Sequence, residues 1–515
     1  MAVFNTEPPL FPEIISLHGK WKGNKTALIY GDQNLSWRDL NQAANQIANG
    51  LNKNGIGPGS MVGLVMKNGR QMVESILGIM KSGAASVPIN LSVSNDALAA
   101  MLKDADVKAI IATRDQTDRL QGYGASALAM PILIASNATD DAFEAFKAEH
   151  PLTNPTGSIS PDAPLNVIYS SGTTGTPKGI VHTHAGRRDW AYDISIALRY
   201  DSSARTLFNL GLYSNISWVG FVATLLAGGT LIIHDSYHTA HTLATIQNEK
   251  ITNFSMVPIQ YQRLLEDPTN GDYDLSSLKA VMSCGSPLHK DLRHRLFDRL
   301  GPVVIELFGL TEGVATTLDP EEAEGRMGSA GKPLVGTDIK IISDDHIEVS
   351  QGQTGEIVAT GRILMPGYLN RPDATMDAVW TDEDGQNWLR TGDIGMLDEE
   401  GYLYIVDRKK DMILSGGQNI YPQDIEAILL EHPAVTESAV IGAESATWGE
   451  TPLAIVVVDT ATETLADEIK AWANSKLGKQ QRIAGVEIAV SLPRNPNGKT
   501  LKKTLRETYS YITFQ

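Results

Sequence analysis

The sequence predicts a mixed α/β protein. It has a large N-terminal domain of α/β sheet subdomains with a small antiparallel, barrel-like part, followed by a small α+β C-terminal domain. Three observations predict this. Helical and strand periods alternate through the first part of the chain, and the strands are apolar throughout, as in sheets covered on both faces. After about residue 335 the texture changes to short strands separated by glycine turns. Beyond the charged stretch DRKKD at 407–411, which has little to bury, helices and strands alternate again to the last residue. A boundary there gives residues 1–408 and 409–515 as the two domains.

The elements follow in order. Ser36 and Asp39 make a capping box, and the helix it opens puts Leu40, Ala44, Ile47 and Leu51 on one face, with Gly55 just past its end. MVGLVM at 61–66 is a buried strand. RQMVESILGIMKSG is a second amphipathic helix, stopped at Gly83, and ASVPIN is a strand. VKAIIAT at 107–113 and PLNVIYS before residue 171 are further strands, with a helix after HTHAG. The rhythm returns at 240–257, 278–284 and 302–308. DIKIISD, GEIVATG and GYLYIVD are the short antiparallel strands. In the last part YPQDIEAILLEHPAV is a helix leading into a strand, LAIVVVD a strand, ADEIKAWANSKL a helix and GVEIAV a strand.

Composition narrows the function. Hydrophobic residues make up 42% of the 515, enough for real cores. No apolar run approaches the roughly 18 residues of a spanning helix, so no transmembrane segment is expected. The N-terminus lacks the pattern of a secretory signal. Cys284 is the single cysteine, which excludes an internal disulfide and favours a cytoplasmic home. A net charge of −17 argues against nucleic acid as a partner. The acidity is uneven: Lys470 to Arg506 carries 9 basic residues against the single acid Glu487. That is either a solvated face or a module that meets something anionic, such as a polyphosphate.

The stretch YSSGTTGTPKG, Tyr169 to Gly179, follows an apolar strand. Glycine-rich loops expose backbone N–H groups that bind anions. The Walker pattern fails, because Pro177 precedes Lys178 where glycine is required and Gly179 follows where Ser or Thr is required. This is a phosphate loop of another type. Ser170, Ser171, Thr173, Thr174 and Thr176 add hydroxyls, and Gly172, Gly175 and Gly179 permit close approach. His234, His238 and His241 are spaced loosely like metal ligands, but a surface loop is the simpler reading. His182 and His184 alternate at a strand end and need no role, and Cys284 has no basic partner that would activate it.

SSGTTGTPKG resembles the pyrophosphate-binding loop of the adenylate-forming superfamily, which holds acyl-CoA synthetases, peptide-synthetase adenylation domains and firefly luciferases. Four further motifs follow in that family's order: ELFGLTEG, RTGDIG, GYLYIVDRKKDMILSGGQNIYPQDIE and PRNPNGKTLKK. The resemblance implies an acid–thiol ligase, with ATP and CoA as co-substrates and Mg²⁺ as cofactor. A carboxylic acid is first converted to acyl-AMP, and the acyl group then passes to CoA. It implies ATP or AMP binding by Ser170, Ser171, Gly172, Thr173, Thr174, Gly175 and Lys178. Gly285, Ser286, Glu306, Phe308 and Gly309 would belong to the same nucleotide site, with Phe308 packing on adenine and Gly285 and Ser286 near it. Phe308 stands where the family usually has tyrosine. Thr311 would touch phosphate, Glu312 would bind Mg²⁺, Asp393 would hold the ribose, and Arg408 would reach the ribose or phosphate.

Lys499, at a loop tip after the turn signal Asn497-Gly498, would bridge the substrate carboxylate and the nucleotide. Taken alone, a lysine there is a solvated charge. The resemblance further implies a mobile C-terminal domain hinged at Lys410, and a pantetheine path past Gly416 and Gly417. The acyl pocket would lie around Tyr213, Ser214, Asn215 and Trp218, with Ser214 where many such ligases have a histidine or aromatic gate. Tyr261, Phe254, Met256 and Val314 are further apolar candidates. Together these suggest an aromatic, arylalkanoic or medium-to-long fatty acid. Three alternatives stay open: a carrier protein or amine as acceptor, an oxygenase of the luciferase type, and a nucleotide-binding regulator without turnover. A homodimer is compatible with all of these.

Overall fold

The computed structural model describes residues 7–122, 132–135, 142–170, 178–415, 418–479, 481–495 and 498–515. Contacts divide the chain into two compact units. The first is Met1–Met327 with Pro333–Asp338 and Thr360–Ala378; the second is Gly328–Lys332 with Ile339–Ala359 and Val379–Gln515.

The first unit holds two mainly parallel sheets. In one, Val304–Leu310, Ala280–Ser283, Asn253–Met256, Arg205–Phe208, Thr230–Ile233 and Thr26–Tyr30 lie side by side in parallel. Val314–Leu318 and Gln33–Ser36 flank this run in antiparallel pairing, and the short strand Lys332–Pro333 lies beyond Val314–Leu318. In the other the order is Ile132–Ala135, Ala109–Thr113, Met61–Val65, Ala85–Pro88, Pro164–Ser170 and Lys178–Thr183, and only the last pair is antiparallel. The α/β expectation therefore holds, and the reason is the one in the sequence: short β-branched strands with no polar alternation.

The capping box forms as expected. The Ser36 hydroxyl accepts from the Asp39 N–H at 3.2 Å, and Asp39 Oδ2 accepts from the Ser36 N–H at 3.1 Å. Helix Trp37–Lys53 buries Leu40, Ala44, Ile47 and Leu51. Two local expectations are corrected. Helix Arg70–Ser82 is not amphipathic, because every residue from Gln71 to Ser82 is buried; it is a central helix, packed on helix Trp37–Lys53. Two of its charged residues find partners within the fold: Glu74 pairs with Lys147 at 2.7 Å, and Lys81 donates to Ser16 at 2.7 Å and Asn41 at 2.6 Å. The helix placed after HTHAG instead begins at His184, where the Thr183 hydroxyl accepts the Gly186 N–H at 3.0 Å. Lys178–Thr183 is a strand, so the glycine-rich segment joins two antiparallel strands and not a strand to a helix.

The second unit is smaller and antiparallel in character. Gly355–Gly361, Val379–Thr381, Asn387–Leu397 and Leu403–Arg408 form a curved half-barrel sheet. A further sheet centres on the long hairpin Val435–Ser445 and Gly449–Val458, with Gly485–Ile488 added in parallel. Helices Pro422–Leu430 and Leu465–Lys476 supply Ile425, Leu429, Ile469 and Ala473 to its core. DRKKD differs from the expectation of little burial. Asp407 is 1% exposed and accepts N–H groups of Arg408 at 2.6 Å and Gln423 at 3.1 Å; Asp411 pairs with Arg506 at 3.0 Å. Among the described residues no helix is long and apolar enough to cross a membrane.

Candidate active site

In the first unit the site grows from two strand ends. The ELFGLTEG segment forms the strand Val304–Leu310 and the turn that reverses it into Val314–Leu318. That turn needs glycine at 313: φ is +109°, and a Cβ would collide with the Ile363 carbonyl. Thr311 and Glu312 stand half-buried at its apex, and Phe308 is half-buried on the strand. Glu312 Oε1 accepts the phenolic O–H of Tyr368 at 2.9 Å. The Lys178 ammonium lies 4.8 Å from the centre of the same Tyr368 ring. The backbone fixes this arrangement, since the segment 365–369 runs beside strand Lys178–Thr183. Leu369 N–H donates to the Gly179 carbonyl at 2.7 Å, and Met365 N–H to the Glu312 carbonyl at 2.7 Å. Tyr368 thus links the lysine and the glutamate that the sequence singled out. Burial first, then the neighbouring Glu312 charge, push its phenol well above the ordinary tyrosine range.

Other expected residues are placed as follows. Gly285 is exposed with φ +89°, and Ser286 is half-buried beside it. Glu306 is engaged inside the protein: Arg293 forms an ion pair with it, and Leu288 N–H donates to its Oε1 at 3.1 Å. Gly309 is exposed on the same strand. Ser214 is the N-cap of helix Asn215–Ala227, which gives this serine a structural reason of its own. Tyr213 and Asn215 are half-buried around it. Trp218 is a core residue, 0% exposed, with its indole N–H on the Leu212 carbonyl at 2.8 Å. Tyr261, Phe254 and Met256 pack in one apolar cluster, and the Tyr261 hydroxyl donates to the Met282 carbonyl at 2.8 Å. Cys284 is buried and its thiol is pushed up to about 12, so it is inert. His234 is buried where the chain leaves strand Thr230–Ile233, while His238 and His241 are exposed. It stacks on His241 at 4.0 Å, and no cluster that could hold a metal ion exists among the described residues. His182 and His184 are buried too. Ser170 ends its strand, but its side chain and residues Ser171, Gly172, Thr173, Thr174 and Gly175 lie outside the described residues, as do Gly416, Gly417 and Asn497.

The second unit collects the remaining candidates. Asp393 and Arg408 are cross-strand partners, and Arg408 Nε meets Asp393 Oδ1 at 3.0 Å. Asp393 is 1% exposed, and its Oδ2 is buried without a partner. Burial raises its pKa, while Arg408, Lys499 and Lys410 pull the other way. Lys499 is not a solvated charge at a loop tip. The Asn495 side chain accepts its N–H at 2.9 Å, Gly498 turns the chain at φ +76°, and the ammonium lies within the fields of Arg408, Asp393 and Lys410. Burial and then Arg408 hold its pKa down at about 8. Lys410 is drawn down to about 8 by partial desolvation and then by Arg408. Three cations thus gather near Asp393, which has an oxygen to spare, with Asp411 as the second carboxylate in range. Such a patch suits a hydroxyl-bearing, negatively charged ligand.

The profile of the AMP-binding enzymes matches residues 18–369, and that of the AMP-binding enzyme C-terminal domain matches residues 424–499. The chain belongs to the AMP-binding enzyme family. Among curated relatives, feruloyl-CoA synthase of an Amycolatopsis species is 32% identical, over 94% of this chain and 96% of its own. The long-chain-fatty-acid–CoA ligase FadD13 of Mycobacterium tuberculosis is also 32% identical, over 93% of this chain and 94% of its own. Among solved structures, the o-succinylbenzoate CoA synthetase MenE of Bacillus subtilis, in complex with its acyl-adenylate intermediate, superposes with a TM-score of 0.85 at 28% identity. That match covers 98% of this chain and 99% of the other.

Sequence reasoning missed Tyr368 and Arg293. MPGYLN carries no signal of its own, because Tyr368 comes near Lys178 only through the pairing of its segment with a distant strand. Arg293 reads as one charge among several in KDLRHRLFDRL.

Proposed function

We propose that this enzyme is an ATP-dependent acid–CoA ligase. It joins an aromatic, arylalkanoic or medium-to-long fatty acid to CoA through an acyl-AMP. The observation that carries the proposal is the Asp393 carboxylate, one oxygen on Arg408 and the other unpartnered, inside a cluster that holds Lys499. The feruloyl and long-chain acyl names of relatives support the substrate range.

In the first half-reaction a carboxylate oxygen attacks the α-phosphorus of ATP, the bond to the β-phosphate oxygen breaks, and pyrophosphate leaves. Two anions meet, so cations must offset their repulsion. Lys499 takes that role at the carboxylate and α-phosphate. Lys178 and the 170–175 loop receive the leaving pyrophosphate. Asp393 accepts the ribose hydroxyls, Arg408 steadies them, and Phe308 packs on adenine beside Gly285, Ser286 and Gly309. Mg²⁺ fits here with Glu312 as a single protein carboxylate, since Oε1 is held by Tyr368 and Thr311 is adjacent, and magnesium keeps most of its ligands as water and phosphate. When bound it neutralises phosphate charge. In the second half-reaction the CoA thiolate attacks the acyl carbonyl and AMP leaves; Gly416 and Gly417 form the thiol path, and Lys410 is the hinge at which the domains 1–408 and 409–515 reorient between steps. Tyr213, Ser214, Asn215 and Trp218 shape the acyl end. The protein works in the cytoplasm.

The test is isotopic. With both carboxylate oxygens of the acid labelled with ¹⁸O, turnover in the presence of CoA should leave one ¹⁸O in each AMP formed. AMP without label would overturn the proposal.

A further inference from the structure

Arg187 lies on helix His184–Ala197 and is 2% exposed. Its Nε donates to Asn166 Oδ1 at 3.0 Å. The guanidinium carbon stands 4.8 Å from the Trp190 ring and 5.0 Å from the Trp218 ring, so indoles cover it. Its Nη2 is buried with no partner, and among the described residues Arg187 forms no ion pair. Burial pulls its pKa well down, with no carboxylate to oppose the shift. A buried cation left uncompensated is strongly unfavourable, and folded proteins rarely keep one without use.

Three more polar side chains line up beside it. Ser86, Asn166 and His182 are register partners on three neighbouring strands, which directs their side chains to one face of the sheet. They are 1%, 0% and 6% exposed. Ser86 Oγ, Asn166 Nδ2 and His182 Nε2 are all buried and unpartnered. The Asn166 oxygen is already occupied by Arg187, so its free atom is a donor. Arg187 Nη2 can only donate, and the hydroxyl and imidazole can each donate. The cluster therefore offers donors and one positive charge, and no fixed acceptor.

We propose that Arg187, Asn166, His182 and Ser86 form a buried site for a single monoanion of the carboxylate type. Such a charge arrives in one of two ways. It is a free small anion, or it is the second carboxylate of a dicarboxylic acid lying against Trp218; the latter rests on the ligase reading above.

The experiment follows thermal unfolding of the full chain while sodium formate is titrated, with ionic strength held constant by sodium HEPES. The wild type should show a saturable rise in Tm of about 2 °C. Arg187→Met should lose the response. Asn166→Asp supplies a carboxylate from the protein itself, so it should lose the response while folding at least as stably, and it keeps the test open if Arg187→Met does not fold. An unresponsive wild type, or variants that respond as the wild type does, would overturn the site. This arm needs no turnover, so it stands apart from the ligase reading. Pyrophosphate release with acid pairs differing only in a terminal methyl or carboxylate then separates the sources. Formate that competes with the dicarboxylic member alone assigns the charge to the substrate; formate without effect on either assigns it to a free ion.

Discussion

The phenol of Tyr368 donates to Oε1 of Glu312 at 2.9 Å. The contact holds the carboxylate that the proposal gives to Mg²⁺, and it makes a graded prediction. Glu312→Ala should raise the Mg²⁺ and ATP concentrations needed for half-maximal rate and lower kcat. Tyr368→Phe keeps the ring under Lys178 but frees Glu312, and it should weaken Mg²⁺–ATP use by about fivefold, the effect of one hydrogen bond worth on the order of 1 kcal/mol. Metal-dependence curves for both variants check this; identical curves for wild type and Glu312→Ala would remove Glu312 from the metal.

Lys499 predicts a split between the half-reactions. Lys499→Ala should slow adenylation by roughly 10²–10³-fold, the scale of a lost transition-state charge contact. It should spare most of the thioester step when preformed acyl-AMP is supplied. Single-turnover assays of each step separate the two, and equal losses would count against the role.

The same lysine predicts two pH effects. Its pKa of about 8 lies below the ordinary 10.5, so the charge needed for adenylation is lost as pH rises through about 8, and the rate should fall there. Stability runs the other way. Between about pH 8 and 10.5 the unfolded chain binds the proton that the folded chain has given up, so this group makes unfolding harder as pH rises across that window. Lys499→Met should therefore be more stable than wild type at pH 7, with the gap closing by about pH 10.5. Denaturant midpoints at the two pH values test it.

Lys410 follows the end of strand Leu403–Arg408, in a turn where Asp411 N–H and Met412 N–H both donate to the Arg408 carbonyl. Lys410→Pro restricts that turn. If Lys410 is the hinge, acyl-AMP should form at near the normal rate and accumulate, while thioester formation stalls. An unchanged overall rate would remove the hinge role.

Gly313→Ala should be severe although it touches no substrate. A side chain at φ +109° would strike the Ile363 carbonyl, so the turn carrying Thr311 and Glu312 must shift. A Tm drop of several degrees together with loss of adenylation is expected; a variant with normal Tm and activity would show the turn to be slack.

Much of the fold was legible because it is written in local periods. Ser36 and Asp39 announced a helix start, Gly83 a helix end, and apolar runs such as VKAIIAT the strands. What failed was what depends on neighbours distant in sequence. Helix Arg70–Ser82 reads as amphipathic because Glu74 and Lys81 are charged, yet Lys147, Ser16 and Asn41 satisfy them from elsewhere in the chain. A strand end was legible in the alternation of His182 and His184, but the antiparallel pairing of Lys178–Thr183 with Pro164–Ser170 was not, because a partner strand leaves no mark in the local pattern. Candidate site residues were nameable from motif positions. Their partners were not: Tyr368 under Lys178, Arg293 on Glu306, and Arg187 between two tryptophans are all products of packing.

The most direct measurement is pyrophosphate release over a panel of aromatic, arylalkanoic and fatty acids, each with and without CoA. Release should require the acid, stop after about one equivalent per enzyme without CoA, and become continuous turnover with it. Release that is indifferent to the acid, or equally continuous without CoA, would contradict an acyl-AMP held for transfer to a thiol.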